Sequence, residues 1–289
     1  MANILMLVPT SIANFSVSRG TGAENLLTPD PKEVWVDSAV GTAAVIDIDF
    51  GVARAIDTVF LGCIWSADQA ASWTITGGVA SYTATTIKAA GDLRVPERAG
   101  RTTRFTHALW HGDDVLVRYL RISITQPADK PVLAIGAMMF GLSFVPEFNM
   151  EWGSGRGVKD TGSITRLPSG SAAAVEGARY GTYKWSLGDL SDEEVDYLYE
   201  LQLDRGETRR MLVVEDPDTT WGLRNRIHYG VLTGIRASDR RNARQTRWEF
   251  QLDELVSEAN AIIETLPTPA LTLSGEPISF GGEILTIGA

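Results

Sequence analysis

The sequence predicts a mainly β protein, with an N-terminal jelly-roll β-sandwich followed by a β-rich α+β domain that contains one helix. Three observations favour this fold class. The first half consists of short β-branched and aromatic runs separated by turn residues, with no helical pattern between them. One of these runs, residues 46–50, alternates strictly between apolar residues and aspartates, which is typical of a strand with one buried face. The second half contains a single helix signal, near residue 191.

The predicted strands of the first half are separated by turn-forming residues, namely Gly, Pro, Asn and Asp. Many short strands without intervening helices predict antiparallel pairing in a two-layered sandwich, and the jelly roll is the closest form. The predicted strands are residues 34–37, 44–50, 56–64, 72–77, 104–110, 115–124 and 132–140.

The pattern changes near residue 145, after which a loop rich in Gly and Ser follows. Ser191 and Glu194 form a capping box, in which each side chain bonds the other residue's backbone amide, and Gly206 is a stop signal. The predicted helix therefore covers about residues 191–205. Strands are predicted at residues 180–187, 210–215, 226–232 and 245–252. The predicted units are the sandwich at residues 1–145, the second domain at 146–260 and an extended C-terminal arm at 261–289.

Composition argues against several classes of function. With 289 residues, 44% of them hydrophobic, and a mean hydropathy of −0.02, the chain is typical of a soluble globular protein of about two domains. It lacks the ~18 consecutive apolar residues of a membrane span and the basic start of a signal peptide, so neither is predicted. The net charge of −10 repels phosphate backbones and argues against a nucleic-acid partner. Cys63 is the only cysteine, which excludes an intramolecular disulfide and fits folding in a reducing cytoplasm.

Patterns for catalysis or metal binding are weak in this sequence. His107 and His111 are four residues apart, but on a strand that spacing is ~13 Å, too far to share one ion. Both are expected to be partly exposed strand or loop residues. Asp113 and Asp114 suit a turn better than a calcium loop, and neither a Gly-x-Ser-x-Gly elbow before a helix nor a phosphate loop is found. The sequence therefore predicts no enzyme, with no catalytic residue, metal or cofactor.

A longer motif opens the N-terminal half. An Asn-Leu-Leu-Thr-Pro run starts at Asn25, Trp35 follows it, and Asp-Phe-Gly ends a strand at Gly51. This arrangement resembles the discoidin-like, galactose-binding-type β-sandwich over about residues 22–140. The resemblance implies the sandwich fold and, for some members of the group, sugar binding.

The loop at residues 65–73 matches the position where such modules often place ligand-facing residues. Aromatic rings stack on sugar faces, so Trp65 is a candidate contact, while core or interface packing is the alternative for a tryptophan. The candidate glycan contacts are Trp65, Asp68, Gln69 and Trp73.

The second half has an element order with a resemblance of its own. An aromatic strand and an acidic-start helix precede Met-Leu-Val-Val at Met211, Tyr-Gly-Val-Leu at Tyr229, and a closing strand with Trp248 and Phe250. This order resembles the ring-forming domains of siphophage distal-tail and minor-tail proteins, over roughly residues 146–258. In the usual distal-tail protein the ring domain comes first, whereas here it follows the sandwich.

The resemblance implies a ring-shaped homo-oligomer, with other tail or baseplate proteins as partners. A basic cluster near residue 240 and the apolar C-terminal arm are the candidate contact surfaces. Pro267 and Pro269 keep the arm from forming a helix or a central strand, so it is expected to add to a neighbouring subunit, with folding back onto its own chain as the alternative. The candidate subunit contacts are Arg236, Arg240, Arg241, Arg244, Leu271, Leu273 and Phe280.

The predicted function is that of a structural component of a phage tail tip or baseplate, which forms or decorates a ring at the distal end of the tail. Its predicted location is the virion, after folding in the host cytoplasm, and host surface glycans are a further partner in host attachment. The alternatives are a carbohydrate-binding adhesion protein and a glycan-cleaving enzyme. An enzyme of that kind needs two carboxylates about 5–10 Å apart, which the sequence does not place.

Overall fold

Strands dominate the computed structural model, which describes residues 2–97, 105–166, 168, 170–242 and 245–255 together with four two-residue strands beyond them. The mainly β fold class is confirmed, and α1 (Asp192–Arg205) is the α-helix of the described residues. The strands of the first half are β1 (Leu5–Leu7), β2 (Asn14–Val17), β3 (Trp35–Val36), β4 (Ala43–Trp65), β5 (Ser72–Gly78), β6 (Thr85–Asp92), β7 (Phe105–Thr125) and β8 (Ala134–Gly141). Those of the second half are β9 (Gly155–Asp160), β10 (Ser163–Arg166), β11 (Ala172–Val175), β12 (Arg179–Leu190), β13 (Arg210–Val214), β14 (Ile227–Leu232), β15 (Asp239–Asn242) and β16 (Gln245–Glu254).

The first half forms a two-layered β-sandwich built on two long strands. β4 and β7 pair along most of their length, in a sheet of order β3-β8-β4-β7-β5-β6 with β2 beside β4. Register shifts between Asp49 and Arg54 bend the pair, so its two halves lie in different layers. We call the layer that holds residues 43–50 of β4 the front layer, and the layer that holds residues 56–64 of β4 together with β8 the back layer. The ring centres of Phe50 in the front layer and Phe140 in the back layer are 5.3 Å apart, and the two rings meet edge to face. The sequence predicted four separate strands here, because Gly51 and Gly112 look like breaks where the structure has a bend within a continuous ladder.

The front layer has the predicted buried and wet faces. Ile46, Ile48 and Phe50 lie in the sandwich core. Asp47 and Asp49 point to the other side, where they accept hydrogen bonds from Arg121 at 2.7 Å and Arg118 at 3.1 Å. The strict alternation therefore identified the orientation of this strand correctly.

The back layer is buried on both faces, because the second sheet covers it. Residues 56–64 of β4 are all buried or nearly so. Val59 points into the sandwich core, whereas Phe60 packs with Leu212 and Tyr229 of the second sheet. A near-continuous apolar run is what a strand covered on both faces requires.

The second sheet has the order β1-β13-β14-β16-β12-β9, with β15 beside β16. Its far face packs against α1 through Leu198 and Leu201. The Ser191–Glu194 capping box is confirmed, with Ser191 Oγ accepting from the Glu194 amide at 3.2 Å and Glu194 Oε2 accepting from the Ser191 amide at 2.8 Å. From front to back, the chain thus stacks two sandwich layers, the second sheet and the helix.

The N-terminal strand departs from the predicted division at residues 1–145 and 146–260. β1 pairs with β13 at the edge of the second sheet, with Leu5 opposite Val214. Met6 faces the core beneath α1, while Leu5 and Leu7 face the core between the two sheets. A strand with apolar residues on both faces fits this position and not the wet edge of a sandwich.

The predicted arm at residues 261–289 is described only as two short hairpins. β17 (Thr272–Leu273) pairs with β18 (Glu276–Pro277), and β19 (Ser279–Phe280) pairs with β20 (Glu283–Ile284). Leu271 lies outside the described residues, and the subunit contacts proposed for Leu273 and Phe280 stay predictions.

In the described part of the chain, no helix is both long enough and apolar enough to cross a membrane.

Candidate functional site

A cavity of about 230 Å³ lies between the back layer of the sandwich and the second sheet. We call it the interdomain cavity. The sandwich contributes Cys63, Phe105 and His107, from the end of β4 and the start of β7. Arg179 and Asn225 are exposed lining residues from the second half, so the cavity is open to solvent. Junctions between domains are frequent places for ligand pockets.

The second half supplies most of the cavity wall. β12 contributes residues 180–182, β14 contributes His228 and Tyr229, and a 3₁₀ turn at Leu223–Arg226 contributes Arg224. Gly181 lets β12 pass close to Glu254, since a Cβ at this position would collide with the Glu254 carboxylate.

A buried ionic cluster borders the cavity. Glu215 accepts a bidentate pair of hydrogen bonds from Arg156, at 2.5 and 2.6 Å. His228 lies between two carboxylates, with Nε2 2.8 Å from Glu215 and Nδ1 2.7 Å from Glu254. Since both ring nitrogens face acceptors, the ring is an imidazolium that donates to both.

The pKa values of this cluster follow from its contacts. Burial by itself raises the pKa of Glu215, but hydrogen bonds from Arg156 and His228 outweigh it and bring this pKa to about 2. Burial lowers the pKa of His228, but the bonds to Glu215 and Glu254 outweigh it, and the net shift is upward. The cluster is therefore charged and internally paired near neutral pH.

His107 is the neutral histidine of the cavity. Its Nδ1 accepts a hydrogen bond from the Cys63 amide at 3.2 Å, so the proton of the ring lies on Nε2. Burial lowers its pKa to about 3, with repulsion from Arg224 and His228 as smaller causes. Nε2 has no hydrogen-bond acceptor among the residues that the structure describes, so it is a donor that a ligand can use.

Arg224 crosses the junction of the two halves. It is 8% exposed, and its Nε donates to the Phe105 carbonyl oxygen at 3.0 Å. Nη1 donates to Asn225 Oδ1 at 3.1 Å, and the guanidinium lies 4.3 Å from the centre of the Phe105 ring. This is cation–π stacking of a guanidinium on an aromatic face.

Aromatic rings form other parts of the cavity wall. Tyr180 is half-buried on β12, and Tyr229 is buried and stacks on Phe60 at 6.0 Å. Phe105 packs against Trp65 at 5.3 Å. The cavity therefore combines flat apolar surfaces with hydrogen-bonding groups.

The predicted glycan loop lies next to this site without forming it. Trp73 is 1% exposed in the sandwich core, so the prediction that it contacts a glycan is corrected, because a core ring offers no surface to a ligand. Asp68 pairs with Lys130 at 3.6 Å, and Gln69 is exposed. Trp65 is half-buried behind Phe105. The roles proposed for Trp65, Asp68 and Gln69 stay predictions.

Two arginines of the basic cluster proposed as a subunit contact lie at the surface beside acidic residues. Arg236 bonds Glu249 at 2.6 Å and Arg240 lies 3.5 Å from Asp192, both with mostly exposed side chains. The side chain of Arg241 and the whole of Arg244 lie outside the described residues. A subunit contact through this cluster remains a prediction.

Sequence reasoning missed the cavity for an identifiable reason. His107 was expected to be partly exposed, and this was wrong, since the second sheet covers the strand that carries it. Glu215 directly follows the apolar strand β13, and charged residues at the ends of such strands were the available signal. Within the described residues, no group of three or more His, Cys, Asp or Glu side chains is placed to hold a metal ion.

His107 gives the protein a defined acid sensitivity. An unfolded histidine binds its proton near pH 6.5, whereas folded His107 does so near pH 3, so the unfolded state holds more protons in between. The free energy of unfolding should fall as the pH drops from 6.5, with a slope approaching about 1.4 kcal/mol per pH unit. His228, whose pKa is raised, contributes fully below 6.5, and the loss at Glu215 begins only below 4.5.

Urea denaturation at pH 6.0 and 5.0 measures this slope. His107→Gln, which keeps a polar group without a titrating ring, should reduce it. Equal slopes in the parent protein and His107→Gln would refute the buried, neutral histidine.

No family model matches the chain, and no curated protein matches it. Among solved structures, it is similar to a Ruminococcus gnavus GH29 fucosidase in complex with fucose, at 16% identity and a TM-score of 0.35, over 45% of this chain and 25% of that one. A CBM32 module from a family 31 glycoside hydrolase of Clostridium perfringens matches at 14% identity and a TM-score of 0.34, over 44% of this chain and 87% of that one. XRCC1 bound to the DNA polymerase beta catalytic domain matches at 18% identity and a TM-score of 0.35, over 47% of this chain and 99% of that one. The chain thus spans a quarter of the fucosidase's length.

Proposed function

We propose that this protein binds glycans without cleaving them and takes one sugar residue into the interdomain cavity. The observation that carries the proposal is the composition of the cavity wall. Tyr180, Tyr229 and Phe105 supply aromatic surface, while Arg224 and His107 supply hydrogen-bond donors in the same 230 Å³ space. A sugar ring needs this combination, because its C–H face is apolar and its hydroxyl groups are directional partners.

The size of the cavity limits the ligand. Its 230 Å³ lies below the ~300–1,000 Å³ of pockets that enclose drug-sized ligands. A single sugar ring suits this volume, with the rest of the glycan outside. The exposed residues Arg179 and Asn225 line the side of the cavity through which the rest of the glycan would extend into solvent.

The carboxylates near the cavity are arranged for structure and not for hydrolysis. A glycosidase requires one carboxyl group that holds a proton at working pH, in order to protonate the leaving oxygen. Glu215 is ionised, with its pKa held at about 2, and it is bonded to Arg156 and His228. Glu254 is bonded to the same imidazolium. Both groups serve His228, which supports a binding role.

Glycan-array screening followed by calorimetric titration of the best ligand tests this proposal. Tyr180→Ala removes the half-buried aromatic ring of the cavity and should weaken binding by about 0.5–1.5 kcal/mol, roughly 2- to 13-fold in Kd. Tyr199→Ala removes an exposed tyrosine on α1, beyond the second sheet, and should leave Kd unchanged. An array without any bound glycan, or equal affinity in the two variants, would contradict the proposal.

We also propose the predicted role in a phage tail tip as a second function, compatible with the first. A projecting ribbon favours a partner protein: all residues of β10 and β11 are exposed, including Ile164 and Val175. A two-stranded ribbon is marginally stable alone, and exposed apolar side chains favour a covered surface. The occupant proposed here is a further copy of this chain in a ring.

Light scattering measures the mass that decides this second proposal. The parent protein should form an oligomer, and Ile164→Asp should shift it towards the monomer because a buried charge at the contact is costly. A parent protein that stays monomeric at high concentration contradicts the ring.

A further inference from the structure

The cations in and beside the interdomain cavity differ in their counter-charges. Most cations in and beside the cavity have a carboxylate partner in the protein. Arg156 pairs with Glu215 at 2.5 Å, Arg179 pairs with Asp160 at 2.9 Å, and Arg94 pairs with Glu97. Arg224 is different, because its hydrogen bonds go to a backbone carbonyl and to an amide oxygen.

Arg224 has no ion-pair partner among the residues that the structure describes. Glu97 and Glu254 act on it only through longer-range attraction. Buried charges in proteins are normally paired, since leaving water without a counter-charge is costly. A guanidinium that is 8% exposed and lines an open cavity therefore has no counter-anion among the residues that the structure describes, and a bound anion would supply one.

The guanidinium is also held in place for recognition. The Phe105 carbonyl bonds Nε, Asn225 bonds Nη1, and the Phe105 ring supports one face at 4.3 Å. These contacts involve Nε and Nη1, and Nη2 makes no hydrogen bond to the described residues. An arginine fixed in this way binds planar carboxylates with directional, charge-assisted hydrogen bonds.

We propose that the cavity recognises an acidic sugar, in which the carboxylate pairs with Arg224 and the ring lies against the aromatic wall. This inference rests on the proposed function, because it specifies the class of glycan. His107 Nε2–H is a second donor on the same wall. The neutral state of His107 allows it to donate without adding a further uncompensated charge.

Calorimetric titration of the full chain with matched sugars tests the inference. Methyl glucuronide and methyl glucoside differ only in the carboxylate, and galacturonate with galactose forms a second pair. We expect each acidic sugar to bind about 10- to 150-fold more tightly than its neutral partner, as for a charge-assisted hydrogen bond. Arg224→Gln should abolish this ratio and Arg224→Lys should retain part of it, whereas Arg209→Gln, at an exposed ion pair with Asp204 outside the cavity, should keep it.

The outcomes separate this inference from the proposed function. If the parent protein binds acidic and neutral sugars equally, recognition of the carboxylate is contradicted and glycan binding is not. If it binds no sugar, both proposals are contradicted. If acetate binds as tightly as glucuronate, recognition of the sugar ring is contradicted. A ratio that persists in Arg224→Gln, or that disappears in Arg209→Gln, means that the carboxylate binds somewhere other than at Arg224. If circular dichroism shows that Arg224→Gln does not fold, Arg224→Lys decides: a ratio equal to that of the parent overturns the assignment, and a reduced one supports it.

Discussion

Replacing Glu215 with glutamine is expected to lower the free energy of unfolding by roughly 3 kcal/mol near neutral pH, the lower end for a buried ion pair that loses one partner. Glu215 bonds Arg156 and His228 from a side chain that is only 8% exposed. Glutamine keeps the shape but leaves the imidazolium with Glu254 as its one remaining counter-charge. The shift in the pKa of Glu215 from 4.5 to about 2 corresponds to a similar magnitude of about 3 kcal/mol.

The effect of Glu215→Gln should depend on pH in a defined direction. A carboxylate whose pKa is lowered on folding stabilises the protein above its unfolded pKa of 4.5, and this stability is lost as pH falls towards 2. The difference between parent and variant should therefore shrink in acid. Urea denaturation at pH 7 and below pH 4 measures it. Asp160→Asn, at an exposed pair with Arg179, is the control that should change little. A Glu215→Gln protein as stable as its parent at pH 7 would show that the cluster is not a buried ionic network.

Replacing Phe60 with alanine is expected to cost roughly 3–5 kcal/mol of unfolding free energy, as for a large aromatic side chain in a core. Phe60 is fully buried between the sandwich and the second sheet, with ring contacts to His107 at 5.4 Å and Tyr229 at 6.0 Å. Because the ring touches both halves, its loss should weaken their joint unfolding and not that of one half alone.

Thermal unfolding monitored by calorimetry checks this coupling. Phe60→Ala should shift the transition downwards, while Phe148→Ala, at an exposed phenylalanine, should shift it little. If one half of the Phe60→Ala variant still unfolds at the melting temperature of the parent protein, the two halves fold independently. That result would also remove the physical basis for a rigid interdomain cavity.

Local patterns of the sequence predicted the local structure well. The alternation at residues 46–50 identified the two faces of the front layer, since a period of two is set by the strand itself. The Ser191–Glu194 capping box identified the start of α1, since it depends only on residues three positions apart. Both signals lie within one short stretch of chain.

The cavity depends on contacts between residues far apart in sequence, and no local pattern reveals them. Phe105 and Arg224 meet only because the second sheet packs on the back layer. The apolar run at residues 56–64 did contain a sign of this packing, as a strand with one wet face would have alternated. Trp73 shows the converse difficulty, because its position after a loop suggested exposure while its face of β5 points into the core.

Binding of an acidic sugar in the interdomain cavity is tested most directly by a crystal structure of the protein soaked with the acidic sugar that binds best. We expect electron density for one sugar ring in the interdomain cavity, against Tyr180, with its carboxylate at the guanidinium of Arg224. Density for the sugar at the loop of Asp68 and Gln69, or on the front layer, with the cavity empty, would contradict it.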